Sequence, residues 1–344
     1  MSHRICTPKD VLELSLSDSQ NLQIKLIQFY PVTNIITHNL VFNKSLYEEI
    51  INKIESIRFT KGFLPDEVKK LGECIFKLFF FDSNGNFLRG LDLVFERESI
   101  LVLFFYGIIE NIPLELAFNK NQFAGLKRCI SRSVSLNNEY LGIYKDNVND
   151  NKKSLLIIAD PLSNSNNSYK EGLAIYTELS QESAVKFNKI DFVSKKINKT
   201  ELVEFLESYD FIHFAGHGEY LENHGGALLI GEKTLFREED LVSLKNPPDF
   251  IFLNACLSGR INSLTHGSLI SKLLKLGVKN IIASTWIILD EDFSLFVQTF
   301  YKMILLGESV GNSFTKVKMD NFLSGDHKWI YFSLYGNPEN TFYK

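Results

Sequence analysis

Apolar and polar positions alternate in two different ways along this chain. Up to about residue 145, short strands and helices are mixed. Segments 21–30 and 34–42 read as two strands with Pro31 between them. Over 45–57, Leu46, Ile50, Ile51, Ile54 and Ile57 recur at helical spacing. Segment 66–81 does the same with Val68, Leu71, Ile75 and Leu78 on one face. A turn at 82–86 follows, and 91–95 with 99–106 read as the paired strands of a hairpin. No internal repeat is visible.

The stretch 146–154 (Asp-Asn-Val-Asn-Asp-Asn-Lys-Lys-Ser) is polar and turn-rich, and it marks the best boundary. It separates an N-terminal α+β lobe, 1–145, from a larger domain, 150–344. Beyond it, strands and helices alternate. Strands are expected at 155–159, 184–193, 210–215, 227–230, 249–253, 278–283 and 329–334. Helices are expected at 169–180, 200–208 with Thr200 as N-cap, 237–244, 267–276, 290–305 and 307–321. Short apolar strands separated by helices imply an α/β fold with a mostly parallel sheet flanked by helices. Ligands of such sheets sit just past the carboxyl ends of the strands.

Composition narrows the function classes. Lys and Arg number 37 against 41 Asp and Glu, a formal charge of −4, and only eight of the cations are Arg. That excludes a globally basic nucleic-acid binder. The longest apolar run, 100–109, lies between Glu98 and Glu110 and is too short to span a bilayer. The N-terminus has no apolar signal-peptide core. Cys6, Cys74, Cys129 and Cys256 show no CxxC and no zinc-finger spacing, so a reduced, cytoplasmic protein is expected. His213, His217, His224 and His266 form no HExxH and no i, i+4 helical pair, and no metal or cofactor is expected. No phosphate-binding glycine motif follows a strand.

Two strand ends carry chemistry. One runs into Gly216-His217-Gly218, the other into Asn254-Ala255-Cys256. With one crossover helix between them, these are neighbouring parallel strands, and an imidazole meets a thiol at one rim. The imidazole can take the thiol proton. The N–H groups of Gly218 and Cys256 are candidates for an oxyanion hole. Taken singly, a cysteine there is more often a packing residue and a histidine more often a surface or hydrogen-bonded one; their joint placement on neighbouring strand ends argues for chemistry.

Phe211-Ile212-His213-Phe214-Ala215-Gly216-His217-Gly218 resembles the His-Gly motif of the CHAT family, a caspase-like group that includes separase. Phe250-Ile251-Phe252-Leu253-Asn254-Ala255-Cys256-Leu257-Ser258-Gly259 resembles its cysteine motif. Pro113, Glu115 and Leu116, then Asp160-Pro161, Ser284-Thr285-Trp286 and Gly336-Asn337-Pro338 look like further family elements in the right order, over roughly residues 65–344. The resemblance implies a caspase-like cysteine endopeptidase with Cys256 as nucleophile and His217 as base. Departures are visible. Asn254 stands where caspases have Gln, Gly259 comes one residue later than their Gly, the His-to-Cys gap is shorter, and Ile287 follows the Trp where separase-like sequences have Asp.

Asp160 and Asp290 are candidates for a carboxylate in the substrate pocket that selects Arg or Lys at P1, with Trp286 as its wall. Asp160 is equally a turn residue, Asp290 equally a helix N-cap, and Trp286 equally core. The implied partners are a protein substrate and a separate activating partner or ligand. Stand-alone bacterial relatives point to an anti-phage or cell-death module, with a gasdermin-like pore former or a regulator as target. The alternative is a catalytically silent scaffold that binds protein partners.

Overall fold

The computed structural model describes residues 9–17, 20–29, 33–59, 65–97, 99–106, 108–133, 153–182, 186–261, 267–288 and 291–343. Asp290, His266, Pro31, Cys6 and the polar stretch 146–152 lie outside the described residues. The chain divides into two compact units, Met1–Asn137 and Asn138–Lys344. Among the described residues no helix is long and apolar enough to cross a membrane.

The first unit contains β1 (Lys9–Ser17), β2 (Asn21–Gln28), β3 (Asn34–Val41), α1 (Lys44–Phe59), α2 (Pro65–Phe80), β4 (Ile100–Tyr106) and β5 (Ile130–Ser133). Its strands lie in the order β3-β2-β1-β4-β5. The first two pairings are antiparallel and the last two parallel. The hairpin expected from 91–106 does not form. Leu93–Glu96 is a single helical turn, and Arg128 holds it by donating to the carbonyls of Leu93 and Val94 at 3.3 and 3.4 Å. β4 pairs instead with β1, a strand the pattern reading missed.

The second unit contains β6 (Lys153–Ala159), α3 (Asn166–Glu182), β7 (Phe187–Val193), α4 (Lys199–Ser208), β8 (Phe211–Gly216), β9 (Gly218–Leu221), β10 (Gly225–Gly231), β11 (Thr234–Phe236), β12 (Phe250–Ala255), α5 (Leu269–Leu276), β13 (Asn280–Ser284), α6 (Ser294–Leu305), α7 (Val310–Leu323) and β14 (Phe332–Gly336). Six strands form a sheet in the order β14-β13-β12-β8-β6-β7. Only β13–β14 is antiparallel; the other four pairings are parallel. The fold is α/β, a mostly parallel sheet flanked by helices. Leu202 and Leu206 of α4 and Leu269 and Leu273 of α5 meet Ile212, Phe214, Ile251 and Leu253 on one face. On the other face α3 approaches closely because of Gly172, where a Cβ would stand 2.3 Å from that of Ala159.

Three local expectations are corrected. Asn198, not Thr200, caps α4: its Oδ1 accepts the Glu201 N–H at 2.9 Å and the Glu201 carboxylate accepts its own N–H at 2.8 Å. The connection from β8 to β12 contains the small antiparallel sheet β9-β10-β11 and one 3-10 turn, Glu238–Leu241, rather than a crossover helix. Trp329 belongs to another 3-10 turn, His327–Ile330, whose cap Asp326 accepts the Lys328 N–H at 2.9 Å, so the last strand starts at Phe332.

Candidate active site

The register of β8 against β12 pairs Gly216 with Ala255. His217 and Cys256 are therefore the first residues beyond adjacent parallel strands, at the same level. Gly218 lies against the cysteine turn: a Cβ there would fall 2.4 Å from the Cys256 carbonyl oxygen. Only glycine permits that approach. The Leu229 N–H donates to the His217 carbonyl at 3.0 Å, and the next pair is Gly218 with Leu228. Antiparallel pairs alternate between bonded and non-bonded, so the Gly218 N–H lies outside that ladder.

The turn after Cys256 is fixed to β13. Leu257 N–H donates to the Trp286 carbonyl at 3.0 Å and Gly259 N–H to the Ser284 carbonyl at 2.8 Å. Leu257 adopts φ +55, a left-handed conformation that costs a non-glycine residue about 1 kcal/mol. The strain sits beside the candidate nucleophile. The Ser284 hydroxyl donates to the Trp286 carbonyl at 2.9 Å and accepts the Trp286 N–H at 3.2 Å, while the indole is buried at 2% exposure.

The half-buried Cys256 thiol donates to the Ile288 carbonyl at 3.3 Å and accepts the Ile288 N–H at the same distance. Burial pushes its pKa up, and the opposing pull of the Ile288 N–H and its own N–H does not reverse this. At neutral pH the thiol is protonated. His217 bonds elsewhere: its Nε2 lies 2.8 Å from Asn164 Oδ1. An amide oxygen only accepts, so the Nε2–H donates, and in the neutral ring the lone pair is on Nδ1.

Asp160 ends β6 and is 6% exposed. Its N–H donates to the Ala215 carbonyl at 2.8 Å, tying the ends of β6 and β8. Its Oδ1 accepts the N–H groups of Asn164 and Ser165 at 2.9 and 3.0 Å. Oδ2 has no hydrogen-bond partner among the described residues. The structure thus brings His217, Gly218 and Cys256 together, joins Asp160 to His217 through Asn164, and buries Trp286 two residues before Ile288.

Two groups escaped the sequence reading. Glu171 of α3 is fully buried and takes His213 Nε2–H at 3.0 Å and Asn254 Nδ2–H at 2.6 Å, while the Tyr301 hydroxyl lies 3.4 Å from His213 Nδ1. This network explains why Asn254 precedes the cysteine: its amide is a buried partner for a carboxylate. Glu171 shares a stripe with buried Ile175 and Leu179 at four-residue spacing, a visible signal of a charged residue on an apolar face. The other group is Asn164, in the loop between β6 and α3.

A family model described as the CHAT domain matches residues 94–321. Among solved structures, separase from Saccharomyces cerevisiae, crystallised with securin, is similar at TM-score 0.65 and 13% identity. That likeness covers 96% of this chain and 30% of the separase chain. The Arg-specific cysteine proteinase gingipain R is similar at TM-score 0.51 and 13% identity, covering 86% of this chain and 76% of that one. The RgpB pro- and mature-domain complex from Porphyromonas gingivalis is similar at TM-score 0.50 and 14% identity, covering 88% and 78%. At these identities the likeness is one of fold. The chain spans less than a third of the separase chain's length. A comparison with curated protein sequences found no match.

Proposed function

The chain belongs to the CHAT-domain family, with the fold of caspase-like cysteine peptidases, and from that premise we propose that it is a cysteine endopeptidase using His217 and Cys256. The observation that carries this reading is the Gly216–Ala255 register, which sets imidazole and thiol one residue beyond adjacent strands.

A peptide entering the rim displaces Ile288 from the thiol. Nδ1 of His217 then takes the thiol proton, and the thiolate attacks the scissile carbonyl carbon. The N–H groups of Gly218 and Cys256 meet the oxyanion of the tetrahedral adduct. The imidazolium returns the proton to the leaving amine as the C–N bond breaks. Water, deprotonated by the same imidazole, then hydrolyses the thioester.

For substrate choice, the open Oδ2 of Asp160 is the acceptor assigned to an Arg or Lys at P1, with Asp290 as a second carboxylate and Trp286 supporting the wall. A gingipain-like fold serving an Arg-specific proteinase supports that choice by analogy. The substrate is a specific protein partner, as a protease of one pathway requires, and a separate partner or ligand triggers the site. A bacterial anti-phage or cell-death setting with a gasdermin-like or regulatory target, in the cytoplasm, completes the proposal on family analogy.

The test adds wild type, Cys256→Ala or His217→Ala protein to a cell lysate and maps newly formed protein N-termini. New termini following Arg or Lys, in wild type only, are expected. Equal patterns in all three samples overturn the peptidase reading and leave the scaffold.

A further inference from the structure

We infer that Asn164 is a positioning residue for His217, setting which ring nitrogen carries the proton and which keeps the lone pair. This deepens the peptidase reading above and rests on it for its catalytic consequence.

The bond from His217 Nε2 to Asn164 Oδ1, 2.8 Å, is made at the surface. An isolated exposed hydrogen bond contributes only about 1 kcal/mol. What gives it weight is the loop that presents Asn164. Asp160 and Ser163 both adopt left-handed backbone, φ +47 and +57. Ser163 N–H donates to the Asp160 carbonyl at 3.0 Å, and Asp160 Oδ1 takes the next two N–H groups. Ser165 is buried, and its hydroxyl lies 2.7 Å from that of Ser168 at the start of α3. The Asp160 N–H bond to Ala215 fixes the loop to β8, the strand that delivers His217. Asn164 is therefore held before the imidazole arrives, and little conformational entropy remains to be lost.

The chemistry of the partner matters as much as its place. Without a fixed acceptor, neutral imidazole distributes its proton over both nitrogens. With Nδ1 protonated the lone pair sits on Nε2, the nitrogen turned toward Asn164. An amide oxygen fixes Nε2–H without adding charge. A carboxylate would also fix it, but would hold the ring as a cation to higher pH. Asn164 thus selects the tautomer without placing a charge beside the ring.

The experiment records long-range 1H–15N spectra of the histidine side chains across pH, with His217 assigned by a His217→Gln variant, for wild type, Asn164→Ala and Asn164→Asp. Peptide cleavage is measured in parallel. Wild type is expected to show His217 as the Nε2–H tautomer. Asn164→Ala is expected to populate both tautomers and to lose about tenfold in kcat at unchanged KM. Asn164→Asp is expected to keep the Nε2–H tautomer and to move the His217 titration to higher pH. A folded Asn164→Ala protein with an unchanged tautomer overturns the inference. Should that variant not fold, an Asn164→Asp protein with an unmoved titration overturns it equally. A wild type that holds the tautomer yet cleaves nothing, with or without cell lysate to supply the trigger, keeps the positioning role and removes the peptidase reading. A cleaving wild type indifferent to Asn164 does the reverse.

Discussion

Cys256 and Ile288 satisfy each other: the thiol donates to the Ile288 carbonyl and accepts the Ile288 N–H, both at 3.3 Å. The candidate nucleophile therefore rests in a backbone clasp rather than on the imidazole. Burial raises the thiol pKa above its ordinary 9.0, so thiolate forms only at more alkaline pH. Alkylation of Cys256 by iodoacetamide in the isolated protein is expected to be slower at pH 7 than for a free thiol and to rise with a midpoint above 9.0. A midpoint below neutrality, read by mass spectrometry, contradicts the resting clasp.

Gly218 touches the same turn. Gly218→Ala puts a methyl carbon against the Cys256 carbonyl and forces β9 away from it. Peptide cleavage is expected to fall about 100-fold or more through loss of the oxyanion donor. The thermal midpoint checks that the protein still folds. Undiminished cleavage removes Gly218 from the oxyanion hole.

Glu171 bridges α3 to the strands that carry both candidate catalytic residues. Glu171→Ala strands the buried donors of His213 and Asn254. The expected loss of unfolding free energy is about 3 kcal/mol, measured by urea titration. Glu171→Gln retains one acceptor and is expected to lose less.

At the opposite end of these strands, Asp249 joins Lys153 at 2.7 Å and Lys279 at 2.8 Å. Burial favours its neutral form, but the two ammonium groups outweigh burial and the carboxyl pKa lies below its usual value. The sign follows: this contribution is present above the unfolded carboxyl pKa and fades as pH falls through the folded one. Asp249→Asn is expected to cost about 1 kcal/mol at pH 7 and less in acid, as the wild type loses the same contribution. Urea midpoints of both proteins at pH 7 and pH 3 decide it.

Much of this was legible in the residues, for identifiable reasons. Parallel strands buried on both faces read as unbroken apolar runs, so Phe250–Ala255 and Phe211–Gly216 announced themselves, and their ends gave Cys256 and His217. β1 was overlooked although Leu12, Leu14 and Leu16 alternate with Glu13 and Ser15, the period of a half-buried strand. Missing it forced β4 into a false hairpin. Leu93–Glu96 is too short for periodicity to separate helix from strand, and only the distant Arg128 decides it. Of the β9–β11 sheet only β10, with Ala227, Leu228, Leu229 and Ile230, is apolar enough to read as a strand; β9 and β11 carry two apolar residues each, too few to show. Asn164 and Glu171 act through contacts set by loop geometry and by the Gly172 approach. Sequence spacing does not encode such contacts, although the Glu171–Ile175–Leu179 stripe hinted at one.

The most direct test of the central claim is covalent capture. Wild type, Cys256→Ala and His217→Ala proteins are incubated with an acyloxymethyl ketone peptide carrying Arg at P1, with or without cell lysate, and the adduct is located by mass spectrometry. The account predicts an adduct on Cys256 in wild type, none in Cys256→Ala, and strongly slowed capture in His217→Ala. Capture at another cysteine, or capture at Cys256 that ignores His217, would contradict it.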